Sequence, residues 1–215
     1  MKTTICFDLD GTVLDSKPGV FHSVTIALDE LSFPRPSDKE LMAFLGPPLQ
    51  DGFANVCHVP PDRVADAIRS YRAYYSTEGM FEASIFEGIP ELLQQLRKVG
   101  KQTVVTTSKP QVFARRILER FGVAPLFDGI YGSELDNTRS RKSEVLRYAM
   151  QQMSFSVEDA VLIGDRVFDV QGAKEVGMDI VGILYGYGTR EELQVAGADC
   201  IVEDMPALYD LLKTL

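Results

Sequence analysis

Thr4-Ile5-Cys6-Phe7-Asp8-Leu9-Asp10-Gly11-Thr12, near the start of the chain, is the stretch on which the rest of the architecture depends. Its first four residues form a short apolar run that is typical of a buried strand, and two carboxylates follow where such a strand ends. Residues two apart share a face in extended backbone, so we expect Asp8 and Asp10 to point the same way, about 7 Å apart. Two like charges this close need a cation, a shared proton or strong hydrogen-bond donors. The stretch therefore predicts a functional site.

Gly11 shapes the turn that follows. A glycine permits a backbone conformation that side chains with a Cβ resist, and such a turn leaves backbone N–H groups free for an anion, so Gly11 and Thr12 are candidate substrate-binding residues. Asp-Gly is also common turn chemistry, which makes a solvated hairpin the alternative. A calcium loop of the EF-hand type needs Glu at its twelfth position, where this chain has Gly19.

The composition limits the class of protein. The chain has 215 residues, 45% of them hydrophobic, which allows one large domain or a core with a small insertion. A net charge of −9 and a pI near 4.8 argue against nucleic acid or an acidic membrane surface as a partner. No run of about 20 apolar residues occurs, and Asp8 comes too early for a secretory signal. We expect a cytoplasmic monomer or homodimer.

The cysteines and histidines do not match a known type of site. Cys6, Cys57 and Cys200 fit neither zinc nor redox spacing and are expected to be buried as small hydrophobic residues. His22 and His58 lack the sequence context of a catalytic triad. Histidine chemistry is therefore not expected to carry the function.

The chain changes its pattern once. Residues 17–80 have apolar residues at helical spacing, with proline-containing corners at 33–36, 46–48 and 60–61, which predicts about four short helices. From residue 86 onward helices alternate with strands, predicted at 102–106, 129–131, 160–163, 179–183 and 200–202. This alternation predicts an α/β fold with a doubly wound, Rossmann-like parallel sheet, whose active crevice lies at the carboxyl ends of the strands. We therefore predict a core formed by residues 1–15 and 85–215, with residues 16–84 inserted as a small all-helical cap.

Two segments bring hydroxyl and cationic groups to that edge of the sheet. The strand beginning at Thr103 ends in Thr106-Thr107-Ser108-Lys109 and opens a helix, whose amino terminus either seats a phosphate or is simply capped by a hydroxyl. The basic cluster Asn137-Thr138-Arg139-Ser140-Arg141-Lys142-Ser143 lies between a strand and a helix. That placement favours a cation which neutralises carboxylates and phosphate, with a solvated loop as the alternative.

A late acidic pair completes the set. Asp165 ends a predicted buried strand and Asp169 follows four residues later, so the two side chains can converge on one point. Oxygen ligands without a nearby His or Cys favour Mg²⁺ over zinc. As the alternative, Asp165 only caps the following helix.

These elements, and residues 8–16 above all, resemble the haloacid-dehalogenase (HAD) superfamily of phosphohydrolases. The resemblance spans essentially the whole chain and is closest to the phosphoglycolate-phosphatase-like group of subfamily IA and its 5′-nucleotidase-like neighbours. It implies that Asp8 is the nucleophile, that Asp10 is an acid/base, and that Thr107 hydrogen-bonds a phosphoryl oxygen, although the register could shift to Thr106. It also implies an essential lysine, which we assign to Lys142, with Arg139 and Arg141 as the other candidates.

The resemblance further implies Mg²⁺ as the cofactor and a small phosphate ester as the substrate. The implied metal ligands are Asp8, Asp10 through its backbone carbonyl, Asp165 and Asp169, the last of which alternatively orients water or Lys142. Ser108, Lys109 and Gly46 are candidate substrate contacts, although Gly46 equally suits a plain corner between helices. The expected reaction is hydrolysis of a phosphoglycolate-like monoester through an aspartyl phosphate. The alternatives are a 5′-nucleotidase, a sugar-phosphate mutase and, as a non-enzyme, a phospho-receiver module.

Overall fold

A computed structural model describes residues 1–136 and 138–215. The chain forms two compact units, one comprising Met1–Asp15 with Ile85–Leu215 and the other Ser16–Ser84. Asn137, the first residue of the basic cluster, lies outside the described residues.

Six parallel strands form the sheet of the first unit, in the order β5-β4-β1-β6-β7-β8. In chain order the strands are β1 (Thr4–Phe7), β2 (Leu14–Asp15), β3 (Ser84–Ile85), β4 (Gln102–Pro110), β5 (Gly129–Ser133), β6 (Ala160–Gly164), β7 (Asp179–Ile183) and β8 (Cys200–Val202). The chain adds β4 and β5 on one side of β1 and β6 to β8 on the other. This order places a switch point at β1 and confirms the predicted doubly wound α/β fold.

Helices flank this sheet, and their apolar residues recur every three or four positions. They are α5 (Ile89–Lys98), α6 (Gln111–Arg120), α7 (Lys142–Met153), α8 (Val167–Val176), α9 (Arg190–Ala196) and α10 (Met205–Leu212). In α5, for example, Ile89, Leu92, Leu93 and Leu96 are buried as one apolar stripe. Together with fully buried strand residues such as Cys6 and Leu162, such stripes form the core.

The second unit is helical. Its elements are α1 (Lys17–Glu30), α2 (Asp38–Leu41), α3 (Leu49–Asp51) and α4 (Val64–Tyr75), with 3₁₀ turns at Met42–Phe44 and Gly79–Phe81 and a π turn at Gly52–Val56. The prediction of about four helices is confirmed in number, although α1 and α4, with 14 and 12 residues, are longer than the short helices expected because their apolar stripes continue between the proline corners. Tyr71 and Tyr75 are buried and stack with ring centroids 5.2 Å apart, so these tyrosines pack the unit internally.

Several local features differ from the sequence prediction. The strand β4 continues to Pro110 rather than ending at Thr106, with a shift in its pairing to β5. The two-residue strands β2 and β3 pair with each other, and α9 follows β7; neither feature was predicted. Cys6 and Cys57 are buried as expected, whereas Cys200 is partly exposed. Within the described ranges, no helix has the length and apolar character needed to cross a membrane.

Candidate active site

Asp8 leaves the centre of the sheet at the carboxyl end of β1. The preceding residue, Phe7, pairs with Val105 of β4 on one side and with Ile163 of β6 on the other. The Asp8 N–H donates to the carbonyl of Ile163 at 2.9 Å, which continues the ladder by one residue. Phe7, Val105 and Ile163 therefore lie level across the three central strands, and the residues that follow them meet at one edge.

Three carboxylates converge there. Oxygen atoms of Asp8, Asp165 and Asp169 all lie within 4.8 Å of one another, and Asp165 and Asp169 are almost completely buried. Asp165 accepts from the Thr12 hydroxyl at 3.2 Å and from the Tyr187 N–H at 2.8 Å, while Asp169 accepts from the Arg166 N–H at 3.1 Å. These donors hold the two carboxylates in place, Asp169 within its own helix turn and Asp165 by contacts with Thr12 and Tyr187 from other segments.

Lys142 supplies the positive charge at the centre of this cluster. Its Nζ lies 2.5 Å from Asp8 Oδ1 and 2.9 Å from Asp169 Oδ1, and it donates to the Thr106 carbonyl at 2.8 Å. It is the first residue of α7, and α8 packs so closely there that a Cβ at Gly172 would lie 2.5 Å from Lys142 Cβ. Close helix packing thus fixes the ammonium group against the nucleophile candidate.

Burial and mutual repulsion perturb the titration of these groups. Burial raises the pKa of Asp8 to about 7, against the opposing charge of Lys142. Burial, followed by the charges of Asp169 and Asp8, raises the pKa of Asp165 well above its ordinary value. Burial alone would lower the pKa of Lys142, but Asp169 and Asp8 outweigh it and raise the pKa above its usual range. The cluster therefore carries more negative charge than Lys142 alone can balance.

Asp10 lies outside the three-carboxylate cluster, and its side chain has a different partner. Its Oδ1 pairs with the Lys109 ammonium at 2.7 Å, and the Lys109 side chain is nearly buried. Sequence reasoning selected both residues but did not predict that they pair with each other. The pair links the segment that follows β1 to the last part of β4 at the same edge.

The predicted anion site at the Gly11–Thr12 turn is not formed by these two N–H groups. The Gly11 N–H donates to the Leu14 carbonyl at 2.8 Å, and the Thr12 N–H donates to the Leu9 carbonyl at 3.2 Å. Both are used within the turn because the chain folds back tightly there. Gly11 has φ +82°, and a Cβ at this position would overlap the Asp165 carboxylate. Gly11 and Thr12 thus contact Asp165 directly.

The hydroxyl candidates at the end of β4 are all near this edge. Thr107 is buried, and its Oγ1 accepts from the Lys109 N–H at 3.2 Å. The Thr106 hydroxyl is also buried and has no hydrogen-bond partner within the described part of the chain. The Ser108 carbonyl accepts from the Ser133 hydroxyl at 2.7 Å. The assignment of Thr107 as the phosphate contact stays a prediction.

The three cations of the basic cluster have different environments. Lys142 reaches Asp8, as described above, whereas the Arg139 guanidinium lies 3.9 Å from the centroid of the Tyr148 ring and also pairs with Glu134. Arg141 is exposed at the residue before α7. This geometry places Lys142 rather than either arginine against the carboxylates.

Gly46 belongs to the helical unit. Its φ is +109°, a conformation that favours glycine, and it lies between the 3₁₀ turn Met42–Phe44 and α3. The positive φ at this corner between helices therefore explains why the residue is glycine, without a bound ligand. The prediction that Gly46 contacts substrate stays a prediction.

The loop after β7 was missed by sequence reasoning. The N–H of Tyr187 donates to Asp165, and the Tyr185 hydroxyl donates to the Thr12 carbonyl at 3.1 Å. Burial, with the nearby Asp165 charge, raises the pKa of Tyr185, so its hydroxyl remains a donor. The position of the loop could have indicated its role, because alternating Tyr and Gly residues begin two residues after β7, a strand of the parallel sheet.

Comparison with known proteins decides the family. The model of the haloacid dehalogenase-like hydrolase family matches residues 5–183. The chain belongs to the haloacid dehalogenase-like hydrolase family. This membership confirms the resemblance predicted from residues 8–16 and from the late acidic pair.

Several relatives of this HAD-like hydrolase carry functional names. A 5′-nucleotidase of Pseudomonas aeruginosa is 38% identical over 210 residues, covering 98% of this chain and 95% of that protein. The tyrosine-protein kinase PtkA of Mycobacterium tuberculosis is 38% identical over 187 residues, covering 87% of this chain and 64% of that protein. Relatives named phosphoglycolate phosphatase share 24 to 28% identity. The crystal structure of a predicted phosphatase from Clostridium acetobutylicum has a TM-score of 0.94 and 40% identity, with complete coverage of both chains.

The residues of this HAD-like hydrolase fit a divalent cation. The donor set consists of carboxylate oxygens from Asp8, Asp165 and Asp169, which is the ligand type that Mg²⁺ and similar hard cations prefer. Burial is the main cause of the raised pKa values of Asp8 and Asp165, and a bound cation would favour the charged forms that burial disfavours. The acidic cluster is therefore able to hold a divalent metal ion.

Proposed function

We propose that this HAD-family phosphatase is a Mg²⁺-dependent hydrolase of small phosphomonoesters that works through an aspartyl phosphate on Asp8. The observation that carries the proposal is the convergence of Asp8 with Lys142 and with Asp165 and Asp169 at the carboxyl edge of the sheet. A nucleophilic carboxylate needs this cationic surrounding because its own charge repels a phosphate dianion.

Asp8 starts the reaction. One of its carboxylate oxygens attacks phosphorus in line, the ester P–O bond breaks, and the phosphoryl group is transferred to Asp8. A divalent cation held by Asp8, Asp165 and Asp169, with the Asp10 carbonyl as a further predicted ligand, would supply positive charge to the phosphoryl oxygens. Lys142 holds the Asp8 carboxylate in position and neutralises part of the charge that the transferred group carries.

Asp10 acts as the general acid and then as the general base. Protonated Asp10 gives its proton to the leaving oxygen and produces the alcohol, and the resulting carboxylate then takes a proton from water. That water oxygen attacks phosphorus, the Asp8–phosphoryl bond breaks, and inorganic phosphate leaves. Lys109 must release Asp10 for this role, and an incoming phosphate offers the Lys109 ammonium another anion to bind. Thr107 is the proposed hydroxyl contact to a phosphoryl oxygen.

The decisive experiment replaces the nucleophile. Asp8→Asn should abolish hydrolysis of an aryl phosphate in the presence of Mg²⁺, while the matched surface variant Asp62→Asn should keep wild-type activity. Acid quenching after reaction with a ³²P-labelled substrate should trap label on the wild-type chain in a form that hydroxylamine releases, since acyl phosphates react this way. Substantial turnover by purified, folded Asp8→Asn protein would refute the assignment.

The substrate class has two candidates. The sequence resemblance points to phosphoglycolate-like monoesters, whereas the 38% identical relative named 5′-nucleotidase supports nucleoside monophosphates. We assign the choice to the helical unit Ser16–Ser84, with Gly46 as one candidate contact. Comparing kcat/KM for phosphoglycolate, nucleoside monophosphates and sugar phosphates separates the two. Recovery of an isomeric sugar phosphate rather than free phosphate would favour the mutase, and a long-lived phosphoprotein would favour the receiver module.

A further inference from the structure

The segment Tyr185-Gly186-Tyr187-Gly188, here called the tyrosine loop, follows β7 and contacts the metal-ligand candidate Asp165. The Tyr187 N–H donates to Asp165 Oδ2 at 2.8 Å. The other carboxylate oxygen, Oδ1, accepts from the Thr12 hydroxyl at 3.2 Å, and the Thr12 carbonyl in turn accepts from the Tyr185 hydroxyl at 3.1 Å. Both oxygens of Asp165 therefore depend on the loop, one directly and one through Thr12.

The two glycines of the loop explain how it comes so close. A Cβ at Gly186 would lie 2.5 Å from Asp165 Cβ and would overlap the Gly11 carbonyl, and a Cβ at Gly188 would overlap the Asp165 carbonyl. Real Cβ atoms essentially never approach other atoms within 3.0 Å, so any side chain at either position must displace Asp165 or the turn after β1. Neither glycine needs a left-handed backbone. Close contact is therefore the requirement.

Both tyrosine rings are anchored to the core. Tyr185 packs edge-to-face on Phe86, with ring centroids 5.3 Å apart, and the Tyr187 hydroxyl donates to Asp15 Oδ1 at 3.0 Å. The loop is thus fixed at Thr12, within the turn that follows Asp10, and at Asp15, just after that turn. Such a clamp restricts the orientation of Asp165 relative to the nucleophile strand.

We propose that the tyrosine loop is a positioning element that orients Asp165 and thereby sets the affinity of this chain for its divalent cation. The proposal rests on the metal role of Asp165 in the proposed function. Residues that orient metal ligands through hydrogen bonds typically contribute about 10- to 100-fold in metal affinity. Tyr185→Phe, which removes one donor two steps from the metal, is expected near the lower end, and Gly186→Ala near the upper end.

The test measures metal binding apart from catalysis. Mn²⁺ binding to the full chain is followed by the free-ion signal in electron paramagnetic resonance, and thermal unfolding is measured in EDTA. Tyr209→Phe is the matched control for loss of a tyrosine hydroxyl, because Tyr209 lies on α10 and not in the tyrosine loop. Gly197→Ala is the control for destabilisation, because Gly197 has φ +88° and open space around its Cβ. We expect weaker Mn²⁺ binding by Tyr185→Phe and Gly186→Ala and unchanged binding by both controls, whatever their melting temperatures.

Asp165→Asn separates the role of the tyrosine loop from the metal role of Asp165 itself. If Asp165→Asn loses Mn²⁺ binding while Tyr185→Phe and Gly186→Ala bind it like the wild type, the loop proposal is refuted and the metal role stands. If Asp165→Asn itself binds Mn²⁺ normally, the metal role of Asp165 fails and the loop proposal fails with it. Should Gly186→Ala not fold, Tyr185→Phe decides the question alone, since loss of one oxygen preserves the packing of the ring on Phe86.

Discussion

Replacing Lys142 with methionine should destabilise the metal-free protein strongly. Its Nζ lies within hydrogen-bond distance of Asp8, Asp169 and the Thr106 carbonyl, and 4% of its side chain is exposed. Methionine fills similar space, so the variant tests charge more than packing. Removing one partner of a buried ion pair costs about 3–5 kcal/mol of unfolding free energy because the other charge stays buried. At roughly 2–4 °C per kcal/mol for a chain of this size, the melting temperature should fall by roughly 6–20 °C.

The loss should depend on pH in a defined direction. Burial raises the pKa of Asp8 to about 7 even beside Lys142, whereas an unfolded aspartate titrates near 3.9. Between these values the folded protein binds this proton more tightly than the unfolded chain, so the contribution of Asp8 to stability falls as pH rises. Lys142→Met removes the positive charge that lowers the pKa of Asp8. The pH range over which the Asp8 contribution to stability falls therefore extends to higher pH. The variant should therefore lose more stability at about pH 8 than at about pH 6.

The assay is denaturant and thermal unfolding followed by circular dichroism in EDTA. The control is Lys174→Met, since Lys174 pairs with Asp199 at the surface, with 44% and 41% of the side chains exposed. Such a pair is worth about 1 kcal/mol or less. Adding Asp8→Asn to Lys142→Met should restore part of the lost stability. The reasoning is refuted if Lys142→Met is no less stable than Lys174→Met, or if its loss does not grow with pH.

Three further outcomes are expected. Mg²⁺ binding near pH 7 should release protons, because burial raises the pKa of Asp8 to about 7 and a bound cation favours its ionised carboxylate. Calorimetry in buffers of different ionisation enthalpy checks this prediction, and a binding heat that is the same in all buffers would contradict it. Burial raises the pKa of Cys6 to about 12 and that of Cys57 to about 11, so near pH 8 a chromogenic disulfide reagent should titrate Cys200 alone in the folded protein and three thiols in urea. Arg139→Gln should keep kcat within about twofold, since its guanidinium lies over a tyrosine ring rather than against the carboxylates; loss of most of the activity would reverse the assignment.

The sheet was predictable because its signals are local. An apolar run followed by Asp8, and another followed by Asp165, each indicate a buried strand that ends at a candidate functional carboxylate. The helices that alternate with the strands then require a parallel sheet. Such reasoning brings Asp8, Lys142, Asp165 and Asp169 to one edge without any knowledge of distances. It assigned no structure to α9, whose seven residues contain one buried residue, Leu193.

Pairings between segments far apart in sequence were not predictable in the same way. The Asp10–Lys109 ion pair joins residues 99 positions apart, and the Tyr185–Thr12 hydrogen bond joins residues 173 apart. Nothing in the local pattern specifies which lysine meets which carboxylate, because that depends on strand register and loop path. The expectation of free N–H groups at Gly11 failed for the same reason, since the turn closes on Leu14.

The charge balance explains why this arrangement calls for a divalent ion. At the described edge of the sheet, Asp8, Asp10, Asp165 and Asp169 provide four carboxylates, while Lys109 and Lys142 provide two ammonium groups. Two negative charges remain when all are ionised, and burial further disfavours the charged forms of Asp8 and Asp165, which raises their pKa values. A proton on Asp8 would block the oxygen that we propose as the nucleophile, whereas one divalent cation would balance the same surplus and leave that oxygen ionised. In the proposed mechanism, attack by Asp8 and binding of a phosphate dianion therefore both need positive charge beyond that of Lys109 and Lys142.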